Sequence, residues 1–318
     1  MKQKLSTFAV AMLCAFALSS CASGTGNYYT DDTPLRLDLP SEKLTILQLT
    51  DLHLTFGFDY NDRRTYALVE ALVNEVEPDL VVFTGDISMS PHGPSLFNKL
   101  ARIMKKLNVY WTFVFGNHDN DTQSYFRYFD TMPEDAKRLF KVGPSLLEGG
   151  YGNFKIETYF NNQPFYHLYL LDSQTEAEAP YEYGWLSQAQ VQWYRDKAAL
   201  DQTSSVYSSV FMHIPLMQYL EYENYPLLEG VAGEGIYHQG MDTGFFTAMT
   251  DYGMSQAVFV GHDHLNNFSF MYQGVRLAYG LASGYNGYGN THKGGRVIEI
   301  DENRVLTTYL LTDAEVGI

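Results

Sequence analysis

Five short runs of apolar and β-branched residues recur along the chain, and each ends in a polar residue able to bind metal. Leu44-Thr45-Ile46-Leu47-Gln48-Leu49-Thr50 runs into Asp51-Leu52-His53, and Leu80-Val81-Val82-Phe83-Thr84 into Gly85-Asp86. Tyr110 to Phe115 runs into Gly116-Asn117-His118-Asp119, Val206 to Met212 into His213, and Phe259-Val260 into Gly261-His262-Asp263-His264. Runs of this length and make-up, bounded by glycine and polar residues, predict strands.

Between the first two strands Val69, Leu72, Val73 and Val76 share one face at helical spacing, which predicts a helix over 62–77 halted by Pro78. A second helix follows Pro91 and Pro94, with Leu96, Leu100, Ile103, Met104 and Leu107 as its apolar stripe. Strand–helix–strand–helix–strand implies parallel pairing with right-handed crossovers, hence an α/β fold. Ligands of open α/β sheets gather at the carboxyl ends of the strands. All five polar clusters stand at such ends, so a metal site built from strand ends is expected.

The middle of the chain is less regular. Residues 120–150, rich in aromatics and acids, read as a helical excursion. Asn153 to Phe160 and Pro164 to Asp172 predict a hairpin across Asn161-Asn162-Gln163. Ser187 with Gln190 forms a capping-box start for a helix reaching about Leu200. Leu216 to Gly240 has no periodicity and predicts a long loop near the site edge. Asp242 or Thr243 is expected to cap a short helix ending near Tyr252, and 268–272 with 275–281, then 296–301 with 305–311, predict two strand pairs. Neither a repeat nor a second core is visible, so residues 41–318 are expected to form a single domain.

Composition adds two constraints. A formal net charge of −16 argues against nucleic acid as the main partner, although a metal centre can reverse the field locally for a small phosphate ester. Met1-Lys2-Gln3-Lys4 followed by the apolar Leu5 to Leu18 has the pattern of a secretory signal. Its end, Leu18-Ser19-Ser20-Cys21, resembles a bacterial lipobox. Residues 1–21 are therefore expected to be a lipoprotein signal peptide, with lipid on Cys21 anchoring the mature chain in the bacterial cell envelope. Residues 22–40 are expected to be a flexible tether. With Cys14 removed and Cys21 lipidated, the mature chain has no pair of cysteines for a disulfide.

Two metal ions about 3.5–4 Å apart need a bridging carboxylate with oxygen or nitrogen donors on either side. Asp86 suits the bridge. Asp51 and His53, like His262 and His264, are spaced to share a face, and Asn117 offers a neutral carbonyl oxygen. In order and spacing, Asp51-x-His53, Gly85-Asp86, Gly116-Asn117-His118-Asp119, His213 and Gly261-His262-x-His264 resemble the five-block signature of calcineurin-like metallophosphoesterases. The surrounding residues look most like the branch of purple acid phosphatases and Dcr-type phosphatases.

The resemblance implies a four-layer α/β/β/α sandwich holding two divalent or trivalent ions (iron, zinc or manganese). Asp51, His53 and His264 would hold one ion and Asn117, His213 and His262 the other, with Asp86 between them. His118, held by Asp119, would assist the leaving group. Purple acid phosphatases use a tyrosine three residues after the bridging aspartate, where Met89 stands here, and lack the histidine that stands as His53. The coloured tyrosine–iron centre is therefore not expected.

The function these features imply is hydrolysis of a small phosphoester, a phosphomonoester first, by a hydroxide shared between the metals. Rival readings are a phosphodiesterase for nucleotides or lipid headgroups, and a non-catalytic envelope binding protein of the same fold. No protein partner is expected. Tyr181, Tyr183, Tyr219, Tyr222, Tyr225, Tyr285 and Tyr288 read first as half-buried packing residues and second as walls of a substrate cleft. His92, His167, His238 and His292 fall off the pattern, and Asp263 is expected to serve the turn.

Overall fold

The computed structural model describes residues 28–318. The expected signal segment and the lipid-bearing Cys21 lie outside them. The chain opens with β1 (Leu35–Asp38), β2 (Leu44–Leu49), α1 (Tyr60–Val76), β3 (Leu80–Thr84), α2 (Gly93–Leu107) and β4 (Tyr110–Val114). The middle holds α3 (Tyr125–Thr131), β5 (Phe154–Phe160), β6 (Gln163–Leu170), α4 (Gln188–Ser204), β7 (Ser208–Phe211) and β8 (Leu227–Glu229). The rest comprises α5 (Phe245–Tyr252), β9 (Ser255–Val260), β10 (Ser269–Tyr272), β11 (Val275–Tyr279), β12 (Gly294–Ile300) and β13 (Leu306–Thr312).

Local signals act as expected at several boundaries. Ser187 accepts from the Gln190 amide while the Gln190 side chain accepts from the Ser187 amide, so the capping box starts α4. Asn161 and Asn162, both with positive φ, turn β5 back into β6. The chain leaves α1 at the left-handed Glu77, just before Pro78. The short helix near Tyr252 differs: its cap is Gly244 rather than Asp242 or Thr243.

The strands form two sheets, of orders β13-β12-β2-β3-β4 and β1-β5-β6-β7-β9-β11-β10-β8. Within the first, β2, β3 and β4 are parallel. Within the second, β6, β7, β9 and β11 are parallel. Alternate residues of each strand serve different layers, as the two-residue period requires. Ile46, Leu80 and Val82 of one sheet meet Ile156, Leu168, Phe211 and Phe259 of the other in a central apolar layer. Leu47, Val81, Phe83 and Trp111 point outward onto α1 and α2. Val210, Val258 and Val260 point outward onto α4 and α5. Three cores between four layers make the α/β/β/α sandwich. Arg296 of β12, fully buried, clasps the sheets by donating to Glu229 of β8 and to the carbonyls of Tyr279 and Asn267.

Two expectations need correction. Residues 22–40 are not a tether throughout, because Leu35–Asp38 pairs in parallel with β5 and Leu37 is buried. The alternating Leu35, Leu37 and Leu39 carry that strand's signal. Residues 120–150 hold only the seven-residue α3 as α-helix; the rest is irregular. Leu216 to Gly240 is loop only in part: Met217–Asn224 forms a 3-10 helix and Leu227–Glu229 is β8, a short edge strand on β10. Among the described residues no helix is long and apolar enough to cross a membrane.

Candidate metal centre

The five polar clusters meet at one edge of the sandwich, three from the first sheet and two from the second. Each strand stops just before its cluster, and the chain then turns sharply. Asp51, His53, Asp86 and His262 all adopt positive φ, at 54°, 45°, 50° and 80°. Side chains other than glycine rarely adopt this region, and such strain persists where surrounding structure enforces it. Here enforcement comes from paired loops: the Asp51 and His53 amides donate to the carbonyls of Gly85 and Asp86. Close approach requires glycine twice. A Cβ on Gly116 would lie 2.2 Å from Asp86 Oδ1, and one on Gly261 would lie 2.0 Å from Thr50 Oγ1.

Donor atoms converge in two groups. In the first, His53 Nε2 and His264 Nε2 lie 2.8 Å apart, at 4.0 and 3.6 Å from Asp51 Oδ1. In the second, His213 Nε2 lies 3.1 Å from Asn117 Oδ1 and 3.3 Å from His262 Nδ1. Asp86 Oδ2 stands between them, 3.6 Å from His53 Nε2 and 3.3 Å from His213 Nε2. All seven residues are buried.

This donor set fits two ions. Nitrogen and oxygen donors without thiolate suit zinc, iron or manganese. Burial pushes His53 down to about 4 and His262 well below the usual histidine range, so both rings are neutral and present lone pairs. Each also keeps one ring nitrogen buried without a partner among the described residues. Lone pairs packed this closely repel unless a cation or a shared proton lies between them.

Neighbouring groups aim the donors, as outer-shell partners of metal ligands do. His213 Nδ1 donates to the Thr84 carbonyl at 2.7 Å, which turns Nε2 toward Asp86. The Asn117 amide nitrogen donates to Glu176 Oε1 at 2.9 Å, which turns Oδ1 inward. Burial opposes charge on His213, but the Asp86 carboxylate outweighs it and raises this imidazole to about 10.

His118 stands half-exposed in the cleft above these groups. Its backbone amide donates to Asp86 Oδ1 at 2.9 Å, and its Nδ1 lies 2.6 Å from Asp121 Oδ2. Burial lowers its pKa, but the carboxylates of Asp86 and Asp121 outweigh burial and raise it. The expected clasp by Asp119 is corrected here. Asp119 is buried and accepts from the amides of Gly116 and Ser88 at 2.9 and 3.0 Å, tying together the loops that carry Asn117 and Asp86. Burial, then repulsion from Asp86, pushes its carboxyl up to about 7.

A cleft of about 530 Å³ opens over the donors. Its walls include Tyr183, Glu234, Tyr237 and Tyr288. Tyr183 and Tyr288 stand as cleft walls, the second of the two roles their sequence context allows, whereas Glu234, Tyr237, Glu176 and Asp121 lie in loops without a motif to mark them. Asp263 serves the turn as expected through the Asn266 amide, which donates to its carbonyl at 3.2 Å, and its side chain also lines the cleft and accepts from the Tyr279 hydroxyl of β11 at 2.6 Å. The off-pattern His167 belongs to a separate buried cluster with Asp201. The loop 284–289 borders the cleft, fastened by Tyr285 to Asp313 and by Asn286 to Asp62.

Comparison with known proteins agrees with this geometry. Residues 44–266 match the family model described as calcineurin-like phosphoesterase. The chain is 27% identical to "Probable inactive purple acid phosphatase 14" of Arabidopsis thaliana, over 84% of this chain and 77% of that protein. It is 28% identical to "Phosphatase DCR2" of Saccharomyces cerevisiae, over 71% of this chain but only 45% of that protein. The fold resembles a dimetal phosphatase from Danio rerio, with a TM-score of 0.56 at 14% identity over 85% of this chain and 98% of that one. It also resembles the purple acid phosphatase PPD1 of yellow lupin, with a TM-score of 0.51 at 9% identity over 86% of this chain and 52% of that one. With five blocks of metal-binding chemistry on one sandwich edge, the chain belongs to the calcineurin-like phosphoesterase family and is a metal-dependent phosphoric ester hydrolase.

Proposed function

We propose that the protein is a two-metal phosphomonoesterase in which His118 serves the leaving group. The observation that carries this reading is Asp86 Oδ2, placed within 3.6 Å of a donor from each of the two groups, with His118 anchored to the same carboxylate through its amide. Asp51, His53 and His264 would hold one ion, and Asn117, His213 and His262 the other, with Asp86 shared. Such a pair supplies Lewis-acid charge for the phosphoryl oxygens and acidifies water enough to provide the nucleophile near neutral pH.

The chain's own residues do the rest. Asp121 holds His118 Nδ1, leaving Nε2 to hand a proton to the departing alcohol oxygen. Glu176 and the Thr84 carbonyl keep Asn117 and His213 in orientation, so no reorganisation is needed as charge develops. Export and lipid anchoring through Cys21 belong to the same proposal, supported by the basic, then apolar, then small-residue order of residues 1–21.

The experiment is turnover of the purified protein on parallel phosphomonoester and phosphodiester panels, with metal content measured on the same sample. Two metals per chain with monoester turnover supports the proposal. Preference for diesters would move the assignment to a phosphodiesterase. Fewer than one metal per chain with no turnover of any ester would favour a binding protein.

A further inference from the structure

The cleft over the donors has a lining that bears on the alcohol half of the substrate. Among the described residues that line it there is neither lysine nor arginine. Its uncommitted charge is negative. Glu234 takes the Tyr288 hydroxyl and the Leu265 amide on Oε1, at 2.8 and 2.7 Å, and its Oε2 has no donor among the described residues. Glu176 and Asp121, engaged with Asn117 and His118, add negative charge beside the cleft.

Three tyrosines complete the walls. Tyr288 lies flat on His264 at 4.1 Å with an interplanar angle of 13°, yet is 51% exposed. Tyr183 stands edge-on to His262 at 4.5 Å and meets Tyr237 at 6.5 Å. Tyr237, 44% exposed, also faces the cleft. Tyr183 and Tyr288 are held by packing against the histidines, and Tyr288 by a hydrogen bond as well, so a ligand would pay little to order them.

Charge and shape select one kind of ester. Two ions offset by Asp51 and Asp86 can balance a single phosphate. Apart from His118, which serves the leaving oxygen, the lining offers no cation to a second or third phosphate, which would meet Glu234, so polyphosphates are disfavoured. An ammonium group is attracted by aromatic faces and by a free carboxylate oxygen together, the combination proteins use for quaternary ammonium ligands. The geometry points to an amino-alcohol phosphate as the substrate, its ammonium end seated among Tyr237, Tyr288 and Glu234 while its phosphate meets the metal-site donors. This rests on the hydrolase reading above. Hydrolysis breaks the bond from phosphorus to the amino-alcohol oxygen, forms one to the oxygen of water, and transfers one proton to the departing oxygen.

The test uses the full chain in two arms. In the first, kcat/KM is measured for phosphocholine, glycerol phosphate, an aryl phosphate and a nucleoside triphosphate, with short-chain phosphatidylcholine micelles to separate a lipid headgroup from the free ester. Phosphocholine is expected to exceed glycerol phosphate by roughly ten-fold, and Glu234→Gln and Tyr237→Ala should each shrink that ratio through KM. In the second arm, calorimetry follows choline alone binding to the metal-free protein, with saturable binding expected in the wild type and weaker binding in Glu234→Gln. A ratio of one or less for phosphocholine, in protein that turns over the aryl phosphate, overturns the inference and leaves the hydrolase reading standing. If every ester is inert the hydrolase reading fails, and the choline titration decides the binding claim by itself: no heat of binding overturns it.

Discussion

His118 Nδ1 lies 2.6 Å from the carboxylate of Asp121, three residues on, while the adjacent Asp119 carboxylate faces the amides of Gly116 and Ser88. Residues 118–120 form a single 3-10 turn, and with three residues per turn the third neighbour stacks above the first. The two acids of Asn117-His118-Asp119-Asn120-Asp121 therefore have separate tasks, one aiming the imidazole and one joining loops.

The first prediction separates those tasks. Asp121→Asn replaces the carboxylate that, with Asp86, raises the His118 pKa by a neutral amide that holds the ring less firmly, so kcat should fall by about ten- to hundred-fold on an alkyl phosphate. On an aryl phosphate, whose leaving group needs little proton assistance, the loss should be several-fold smaller. Metal content should stay at the wild-type value. Steady-state kinetics on the two esters check this, and an equal loss on both would reassign Asp121.

Asp119→Ala leaves the Gly116 and Ser88 amides buried without their acceptor. The expected cost is about 1–3 kcal/mol for each amide so stranded. Because those loops carry Asn117 and Asp86, metal occupancy should fall with stability. Urea unfolding with and without added metal measures both effects.

Outer contacts should matter at the metals themselves. Glu176→Ala frees the Asn117 side chain to rotate its carbonyl away, and metal affinity should drop by about ten-fold, the usual scale for losing such a partner. Competition with a fluorescent chelator reads the change. An unaltered affinity would mean that Asn117 is held by packing alone.

A fourth prediction concerns pH and lies far from the metals. On the buried face of α4, Asp201 accepts from Lys155 at 2.7 Å and from Tyr169 at 2.6 Å, with His167 Nδ1 at 2.8 Å. Burial opposes its ionisation, but His167 and Lys155 outweigh burial and lower its pKa below the ordinary carboxylate value. A depressed folded-state pKa stabilises the protein above the unfolded value near 4, and that contribution is lost as pH falls through the folded value. Asp201→Asn should therefore cost about 3 kcal/mol at neutral pH and flatten the acid limb of the stability curve. Urea midpoints from pH 3 to 8 in wild type and variant test the sign.

Much of the fold was readable because its signals are local. The continuous apolar run from Leu80 to Phe83, the stop at Pro78 and the Ser187–Gln190 capping box each act within a few residues. The five polar strand ends were readable for the same reason, since glycine, aspartate and histidine after an apolar run mark where a strand stops. Their gathering at one site came from matching the ordered pattern.

Partners distant in sequence had no such mark. Nothing local in β7 and β9 says that they pair with β6 and β11 rather than with β2 and β3, so the division of five strand ends between two sheets was decided by tertiary packing. Leu35–Asp38 has a local alternation of its own, but its place at the sheet edge beside β5 was likewise decided by packing. Positive φ at Asp51, His53, Asp86 and His262 is imposed by neighbouring loops against each residue's own preference. The sequence by itself determined which residues carry the metal chemistry. Tertiary structure alone decided how they face one another, and which of Asp119 and Asp121 serves His118, because those choices depend on contacts between segments and on the handedness of a turn.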